Sequence, residues 1–459
     1  ADYLHTETYA DGYYSNKPKF MVSFLKEFFG ENATVENDYG YEMLPKIGPR
    51  LPASAWTTMG TFHMMRDGRI KGYFAWGMNP AHSTPNAKFA RNAMANLDWL
   101  VCADWFPTET ATFWKAPDMD PAKIQTEVYF LPAALIYEKI GSISNSGRWV
   151  QWRQQGVLPP GEAKSDFEII EVLFDRIRSL YQKEGGVYPD PILKANMDYK
   201  VDGKYDLRAV CWAINGYTVQ DGKLLPGYAQ LQADGSTACG MWIYSGYYNN
   251  EADKLDPMKQ PTAHRASCDM KGRPWNPEKV FVEWKGDKWL QYDVGDFVTA
   301  NPPDNKAFFM TWEQNARLFS YAMADGPMPE HYEPFESPTK NLLNDSVQAP
   351  CALFTEDKDN RRGTTQDYPY VCTTYSVTEQ WQTGAQTRSI PWLNELISCN
   401  FIELSEELAK EKGIKNGDTV RVWNNRGSVK VRAMVTIRMQ PMQINGKLTH
   451  VVGMPHHFS

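Results

Sequence analysis

Closely spaced cysteines are missing from this sequence. Its seven Cys stand at 102, 211, 239, 268, 351, 372 and 399, and no two lie within four residues of each other. That excludes the CxxC pairs used by zinc ribbons and Cys-ligated iron–sulfur clusters. The odd count argues against a disulfide framework and for mostly buried free thiols. Long apolar runs are missing too, since none approaches the roughly 18 residues of a membrane-spanning helix. The opening ADYLHTETYADGYYSNKPKF has no apolar signal-peptide core and no initiator Met. Ala1 is therefore expected to be a processed end or the edge of a fragment. A basic run is also absent and the net charge is −7, which leaves no electrostatic footprint for nucleic acid. No HExxH, Walker loop, GxSxG or GxGxxG occurs, and of the eight His only His456 and His457 are adjacent. The usual catalytic constellations are not in this sequence.

What is present points to a globular chain with a sizeable core. Hydrophobic residues make up 42% and charged residues 22%, and 459 residues allow about three domains. There are 16 Trp, with Trp212, Trp242, Trp275, Trp284, Trp289 and Trp312 in the middle of the chain. They serve either as core and interface filler or as a sugar-stacking surface; a carbohydrate site would also need paired carboxylates about 5–9.5 Å apart in an aromatic cleft.

KPKFMVSFLKEFFG has the apolar spacing of an amphipathic helix ended by Gly30. From 70 to 135, strands and helices alternate. IKGYFAWG is strand-like and GMNP breaks it; 86–96 is helical; DWLVCADWF and TEVYFLPA are strands. DWLVCADWF carries too few charges to face water on either side. This alternation predicts an α/β fold with a parallel sheet. Ser165-Asp166-Phe167-Glu168 is a capping box, with Phe167, Ile170, Phe174, Ile177 and Tyr181 at helical spacing behind it and Gly185-Gly186 as the stop. Residues 191–345 read as a loop-rich excursion with hairpins such as KVFVEWKGDKW. From 350 on, FIEL is a strand, SEELAKEKG a helix between Ser405 and Gly413, and DTVRVWNNRGSVKVRAMVTI a strand pair about Asn425-Arg426-Gly427. A second hairpin turns at Asn445-Gly446. Close strands of this kind predict a small closed barrel.

Ligands of parallel sheets bind at the carboxyl ends of the strands. GMNP (77–80) and DWFPTET (104–110) both fall there. Asp104 can accept two hydrogen bonds from a planar N–H/NH₂ edge such as that of guanine; Asn79, Thr108 and Thr110 can bond ribose or phosphate. Asp166 either favours a helix start or binds a second nucleobase edge. Equally, Asp104 can cap a turn and Thr108 can open the next helix.

Several stretches taken in order go further: GMNP, LDWLVCADWFPTETATFW, TEVYFLP, GSISNSGRWVQWR, PPGEAKSDFEI, YPYVCTTYSVTEQWQTGAQTR, FIELSEELAKEKGIKNGDTVRV and VVGMPHH. Together they resemble the catalytic (alpha) subunit of the molybdenum or tungsten formate dehydrogenases, bis-molybdopterin guanine dinucleotide (bis-MGD) oxidoreductases, over almost the whole chain. SISNSGRWVQWR and TTYSVTEQWQTG favour formate dehydrogenase over nitrate or dimethyl sulfoxide reductases. The resemblance implies an α/β parallel-sheet dinucleotide-binding domain followed by a C-terminal β-barrel domain of double-psi type. It divides the chain into 1–60, the remainder of an upstream catalytic domain; 61–190, the α/β MGD-binding domain; 191–345, an insertion; and 346–459, the barrel. The positions matching cofactor contacts are Gly77, Asn79, Asp104, Thr108 and Asp166, then Thr374, Gln380, Gln382, Thr383 and Gly384, with His456 near the end.

Ser376 stands where relatives often carry Arg, and Gln380 where they often carry His, so two cations near the pterin are replaced by neutral groups. The family's [4Fe–4S] cysteines, its metal-ligating Cys or selenocysteine and its formate-handling His and Arg have no counterpart in these residues. The chain is thus expected to be the C-terminal half of a catalytic subunit, a cofactor cradle whose redox residues lie on another segment. Completed, it is expected to oxidise formate to CO₂, a proton and two electrons. Its expected partners are the N-terminal half of the same subunit, an iron–sulfur beta subunit and formate or CO₂, in a periplasmic or, alternatively, cytoplasmic setting of anaerobic respiration. Another bis-MGD substrate, or a non-catalytic pterin-dinucleotide-binding module, is consistent with the same residues.

Overall fold

A computed structural model describes residues 16–44, 58–144, 150–153, 155–197, 199–225, 227–245, 282–285, 288–291, 366–424, 427–444 and 446–458. The chain divides into two compact units, 1–47 with 133–321 and 48–132 with 322–459. The second holds most of the residues singled out above.

Its first layer is a three-stranded parallel sheet in the order β1 (Gly72–Trp76), β2 (Trp99–Asp104), β3 (Glu127–Pro132). Ala75 pairs with Cys102, and Cys102 with Phe130, so the strands run in register and their carboxyl ends share one edge. The β1–β2 crossover carries helix Pro80–Ser83 and helix Ala87–Met94. The longer helix is opened by Asn86, whose side chain accepts the Phe89 N–H. Its apolar residues, spaced three and four apart, aim at the sheet. Ala90, Ala93, Met94 and Leu97 pack with Leu100, Cys102 and Ala75, and with Phe62, Met65 and Phe113 from either side. Each large side chain buried there contributes roughly 1.5–3 kcal/mol. The opposite face differs from expectation. Phe74, Trp99 and Tyr129 are 44%, 37% and 46% exposed. Apolar residues on both sides of a strand do not by themselves supply a covering layer on both sides.

The second layer is a mixed five-stranded sheet built from β4 (Val371–Tyr375), β5 (Phe401–Leu404), β6 (Thr419–Trp423), β7 (Ser428–Val435) and β8 (Val451–Pro455). Their order is β4-β8-β5-β7-β6, with β4 and β6 the outer strands among the described residues. β4 pairs parallel with β8 and β5 parallel with β7; β6 and β7 form the antiparallel pair expected from the Asn425–Gly427 turn. Ile402, Leu404, Val431, Ala433 and Val452 bury with Leu408 and Ala409 of helix Glu406–Lys412. Ser405 caps that helix through the Leu408 N–H, and Gly413 ends it in a left-handed conformation. Glu403 is buried in the middle of FIEL, where Arg438 meets its carboxylate. Strands 442–444 and 447–449 form the second hairpin. Helix Pro391–Leu396 was not expected from the sequence.

In the other unit, helix Lys17–Phe29 ends at Gly30 as expected, burying Phe20, Val22, Leu25 and Phe29. Glu27 is buried on the same helix, where its carboxylate accepts hydrogen bonds from Tyr199 (3.2 Å) and Tyr217 (2.8 Å). Helix Asp166–Glu184 has the Ser165–Glu168 capping box in place. Its buried positions are Ile169 and Glu171, whereas Ile170 and Ile177 of the expected face are exposed. Apolar residues stand on more than one side of this helix, so spacing alone did not select the stripe that packs. Residues 141–144 and 150–153 form a hairpin, as do 282–285 and 288–291. The excursion also contains helix Leu207–Asn215, capped by Asp206 and stopped by Gly216, where only loops and hairpins were expected.

Cys102, Cys211 and Cys239 are buried free thiols and Cys372 and Cys399 exposed ones; Cys268 and Cys351 lie outside the described residues. Among the described residues no helix is long and apolar enough to cross a membrane.

Candidate functional site: a cleft at the strand ends

Three segments of one unit meet at the carboxyl edge of the parallel sheet: the turn after β1, the DWFPTET segment after β2, and residues 380–389 between β4 and β5. A cleft of about 310 Å³ opens there, lined by Phe106, Pro107, Thr108, Glu109, Thr112, Ala385, Arg388 and Ser389.

Asp104 ends β2. Its Oδ1 accepts the Trp105 N–H at 2.7 Å. Burial pushes its carboxyl upward, against the lowering effect of hydrogen bonds from Trp105 and Thr108. The same burial, with the Asp104 charge behind it, pushes the Cys102 thiol up to about 12, so this thiol stays neutral. Thr108 starts a short turn, its carbonyl accepting from the Thr112 N–H (3.1 Å) and hydroxyl (2.9 Å). The alternative role of a local turn is thus present in the same residues that line the cleft. Gly77 holds φ +58 with open space where a Cβ would stand, and its N–H donates to the Ala103 carbonyl at 2.9 Å.

Asn79 is buried. Its Oδ1 accepts from the Thr110 N–H at 3.0 Å and hydroxyl at 2.9 Å, and its Nδ2 donates to Glu109 Oε2 at 2.6 Å. Glu109 Oε1 in turn accepts from Arg388 Nη2 at 2.8 Å. Burial would raise the Glu109 carboxyl, but the bonds from Asn79 and Arg388 and the guanidinium charge outweigh it and hold the group below the usual range. His82 Nε2 donates to the Thr383 carbonyl at 2.6 Å. Burial and the Arg388 charge lower its pKa, so its ring is neutral at pH 7.

The 371–389 segment supplies a second group. Thr374 lies exposed on β4. Gln380 is buried, with Oε1 accepting from the Thr387 hydroxyl at 2.6 Å. Gln382 has φ +51, and its carbonyl accepts from His457 Nδ1; His457 Nε2 accepts the Val377 N–H at 2.9 Å. His457 is therefore a neutral Nδ1–H tautomer locking this turn to the chain end. Gly384, at φ +78, passes so close to the His457 carbonyl that a Cβ would stand 2.5 Å from it. His456 Nδ1 lies 3.1 Å from the Tyr375 carbonyl.

Of the residues singled out in the sequence, Gly77, Asn79, Asp104 and Thr108 share the strand-end edge, and Gln380, Gln382, Thr383 and Gly384 share the facing turn, joined to it by His82 and Arg388. Asp166 lies in the other unit, at the start of its helix, where Lys139 meets its carboxylate. Sequence reasoning had not assigned Glu109, Arg388, His82 or His457 a part. Glu109 lies in DWFPTET and Arg388 in the closing TR of QTGAQTR, but a long-range ion pair has no local signature.

Two buried donors, Arg388 Nε and Gln380 Nε2, have no partner among the described residues. A buried donor without an acceptor costs about 1–3 kcal/mol. The fitting complement is a ligand rich in acceptor oxygens, and Asp104 at the end of β2 adds an acceptor suited to an amino edge. Phosphates, pterin carbonyl groups and a guanine offer this combination, so the residues fit a pterin guanine dinucleotide.

Comparison with known proteins agrees with that chemistry. Residues 50–176 match the model of the molybdopterin oxidoreductase family, and residues 370–458 that of the molydopterin dinucleotide binding domain. Those two regions are shared with the molybdopterin oxidoreductases. The chain is similar to the formate dehydrogenase subunit alpha of Megalodesulfovibrio gigas, 40% identical over 97% of this chain and 48% of that one. The formate dehydrogenase 2 subunit alpha (cytochrome c-553) of Nitratidesulfovibrio vulgaris is 39% identical over 96% of this chain and 47% of its own length. The nitrate-inducible formate dehydrogenase major subunit of Escherichia coli is 37% identical, over 97% and 47%. The chain spans about half the length of the curated relatives it matches. The two matched regions carry the two sides of the cleft, one with Asn79, Asp104 and Glu109 and the other with Gln380, Gly384 and Arg388.

Proposed function

We propose that this chain is the cofactor-cradling part of a formate dehydrogenase catalytic subunit and that the cleft at the β1 and β2 ends seats the guanosine end of one MGD. The observation that carries this reading is the chemistry at the strand ends: the half-buried Asp104 carboxylate closes β2, and the adjoining cleft is lined by Thr108 and by Arg388, whose buried Nε has no partner among the described residues. When bound, the metal–pterin group supplies the two-electron oxidation of formate to CO₂. This chain's residues bind and orient it. Asp104 accepts from the guanine N1–H and amino group; Thr108 bonds ribose or phosphate; Arg388 and Gln380 donate to anionic or carbonyl oxygens. Gly77 leaves the approach to the strand end open. Gln382, Thr383 and Gly384 present backbone to the pterin side, with Thr374 and His456 flanking them. Asp166, which lies in the other unit, is assigned to the cofactor from the resemblance alone.

The finer assignments go with it: domain limits at 61–190 and 346–459, closure of the five-stranded sheet into a double-psi barrel, tungsten as an alternative to molybdenum, a [4Fe–4S] cluster on a complementary segment, an iron–sulfur beta subunit as electron acceptor, and a periplasmic setting. Similarity to three formate dehydrogenase subunits at 37–40% identity supports formate as the substrate.

The test is calorimetric titration of the whole chain with GDP and with ADP. GDP is expected to bind more tightly than ADP by at least tenfold, since adenine cannot offer two donors to Asp104; that ratio corresponds to about 1.4 kcal/mol. Asp104→Ala is expected to erase the preference. Equal affinity for the two nucleotides, or no binding of either, would overturn the reading.

A further inference from the structure

Buried Thr110 fixes the orientation of the Asn79 amide. The Thr110 N–H can only donate, and the Thr110 hydroxyl oxygen already accepts the Ala81 N–H at 3.0 Å, so its proton also points at Asn79. Both donors require the Asn79 oxygen. The Asn79 NH₂ is thereby committed to residue 109, which meets a second donor, the Arg388 guanidinium, on its far side. Only a side chain with two acceptor oxygens satisfies both neighbours at once. A carboxylate at 109 does so; an amide of identical shape places an NH₂ against one donor or the other.

We propose that Thr110, Asn79 and Glu109 form a relay whose task is to position Arg388, so that its unsatisfied Nε is presented to a phosphate oxygen of a nucleoside diphosphate in the cleft. This rests on the reading of the cleft as the seat of a guanine dinucleotide. Arg388 is the binding group; Glu109 and Asn79 are positioning residues that act through it. The Glu109–Arg388 bond uses one edge of the guanidinium and leaves Nε, buried and without a partner among the described residues, for the ligand. Gly384 contributes by its lack of a side chain, because a Cβ there would stand 3.1 Å from that nitrogen. The relay also joins the strand-end turn to the 380–389 segment, so that both lips of the cleft hold one geometry.

The relay can be rewired without changing its charge. In Glu109→Gln, donor faces donor at Asn79 or at Arg388. Adding Asn79→Asp restores every bond. One Asp oxygen serves Thr110, the other accepts from the Gln NH₂, and the Gln oxygen accepts from Arg388. The experiment is GDP titration of the whole chain in the wild type, E109Q, N79D and N79D/E109Q, with thermal melting of each to establish folding. E109Q is expected to bind GDP about tenfold more weakly, equivalent to about 1.4 kcal/mol. N79D, which sets two carboxylates against each other, is expected to lose at least as much. The double variant is expected to return to within about twofold of wild type, the spread of near-additive measurements. If E109Q binds as wild type does, or if the double variant binds no better than the weaker single variant, the relay is refuted while guanine recognition stands. If E109Q does not fold, recovery in N79D/E109Q relative to N79D carries the same decision. If wild type binds no GDP, the nucleotide reading itself fails and this proposal with it.

Discussion

Gly384→Ala and Gly77→Ala make a matched pair, because both glycines hold φ in the left-handed region and they differ only in what surrounds them. At Gly77, φ is +58 and an added Cβ meets nothing within 4 Å. At Gly384, φ is +78 and the Cβ would stand 2.5 Å from the His457 carbonyl oxygen and 3.3 Å from Arg388 Cδ. A left-handed alanine costs roughly 1–2 kcal/mol in either place. Only Gly384→Ala adds the overlap. Ordinary contact begins at 3.4 Å, so a backbone carbonyl that His457 holds through two side-chain hydrogen bonds must yield by about 0.9 Å. Forcing a methyl group into a packed site costs about 1–3 kcal/mol, which for a unit of this size lowers the melting midpoint by roughly 2–12 °C beyond the Gly77→Ala value. Scanning calorimetry of the two variants, comparing the same transition, measures the difference directly. Equal midpoints would mean that the 380–389 turn and the chain end do not pack as described, and the account of the cleft's second lip would go with them.

His457 accepts the Val377 N–H through Nε2 and is buried, so folding disfavours its protonated form. Its folded pKa is lowered, so its contribution to stability is complete above the ordinary histidine value of about 6.5 and is lost as pH falls below it. The melting midpoint of His457→Asn is expected to fall less steeply between pH 6.5 and pH 5 (about one unit or more below the histidine value) than that of wild type, and equal slopes would contradict the assignment. Glu171 behaves in the opposite sense. Burial without a hydrogen-bond partner among the described residues, together with the Asp175 charge, pushes its carboxyl up to about 8. Its folded pKa is raised, so stability present at acid pH is lost as pH rises through about 8. Glu171→Gln is expected to melt above wild type at roughly pH 9 and level with it near pH 4, where the carboxyl is protonated in both states; a constant offset across that range would refute it.

Local chemistry was legible where it acts over a few residues. The Ser165–Glu168 box, the Ser405 cap, the Gly30 and Gly413 stops and the β6–β7 pair all follow from neighbours in sequence, and all stand where they were read. Helix 207–215 was missed because its nine residues lie in a stretch of frequent Gly, Pro and Asp, although Asp206 before it and Gly216 after it are ordinary helix signals. The stripe of helix 166–184 was misjudged because apolar spacing does not say which of several apolar faces another segment will cover. Which residue holds which across the cleft was out of reach. Glu109 and Arg388 are 279 positions apart, and nothing near either one announces the other.

The segment DWFPTET divides its labour by direction. Thr108 lies half buried in the cleft lining, and Asp104 lies half buried at the end of β2. Thr110 is wholly buried and turns inward to fix Asn79, and Glu109 between them reaches across to Arg388. The chain leaves the strand at Asp104 and turns at Thr108, so a run of acid and hydroxyl residues serves recognition with some side chains and their support with others. An Asn and a Glu beside a binding cleft are easily taken for ligand contacts. Here the orientation of one amide, decided by a single backbone N–H, assigns both to the task of aiming a cation.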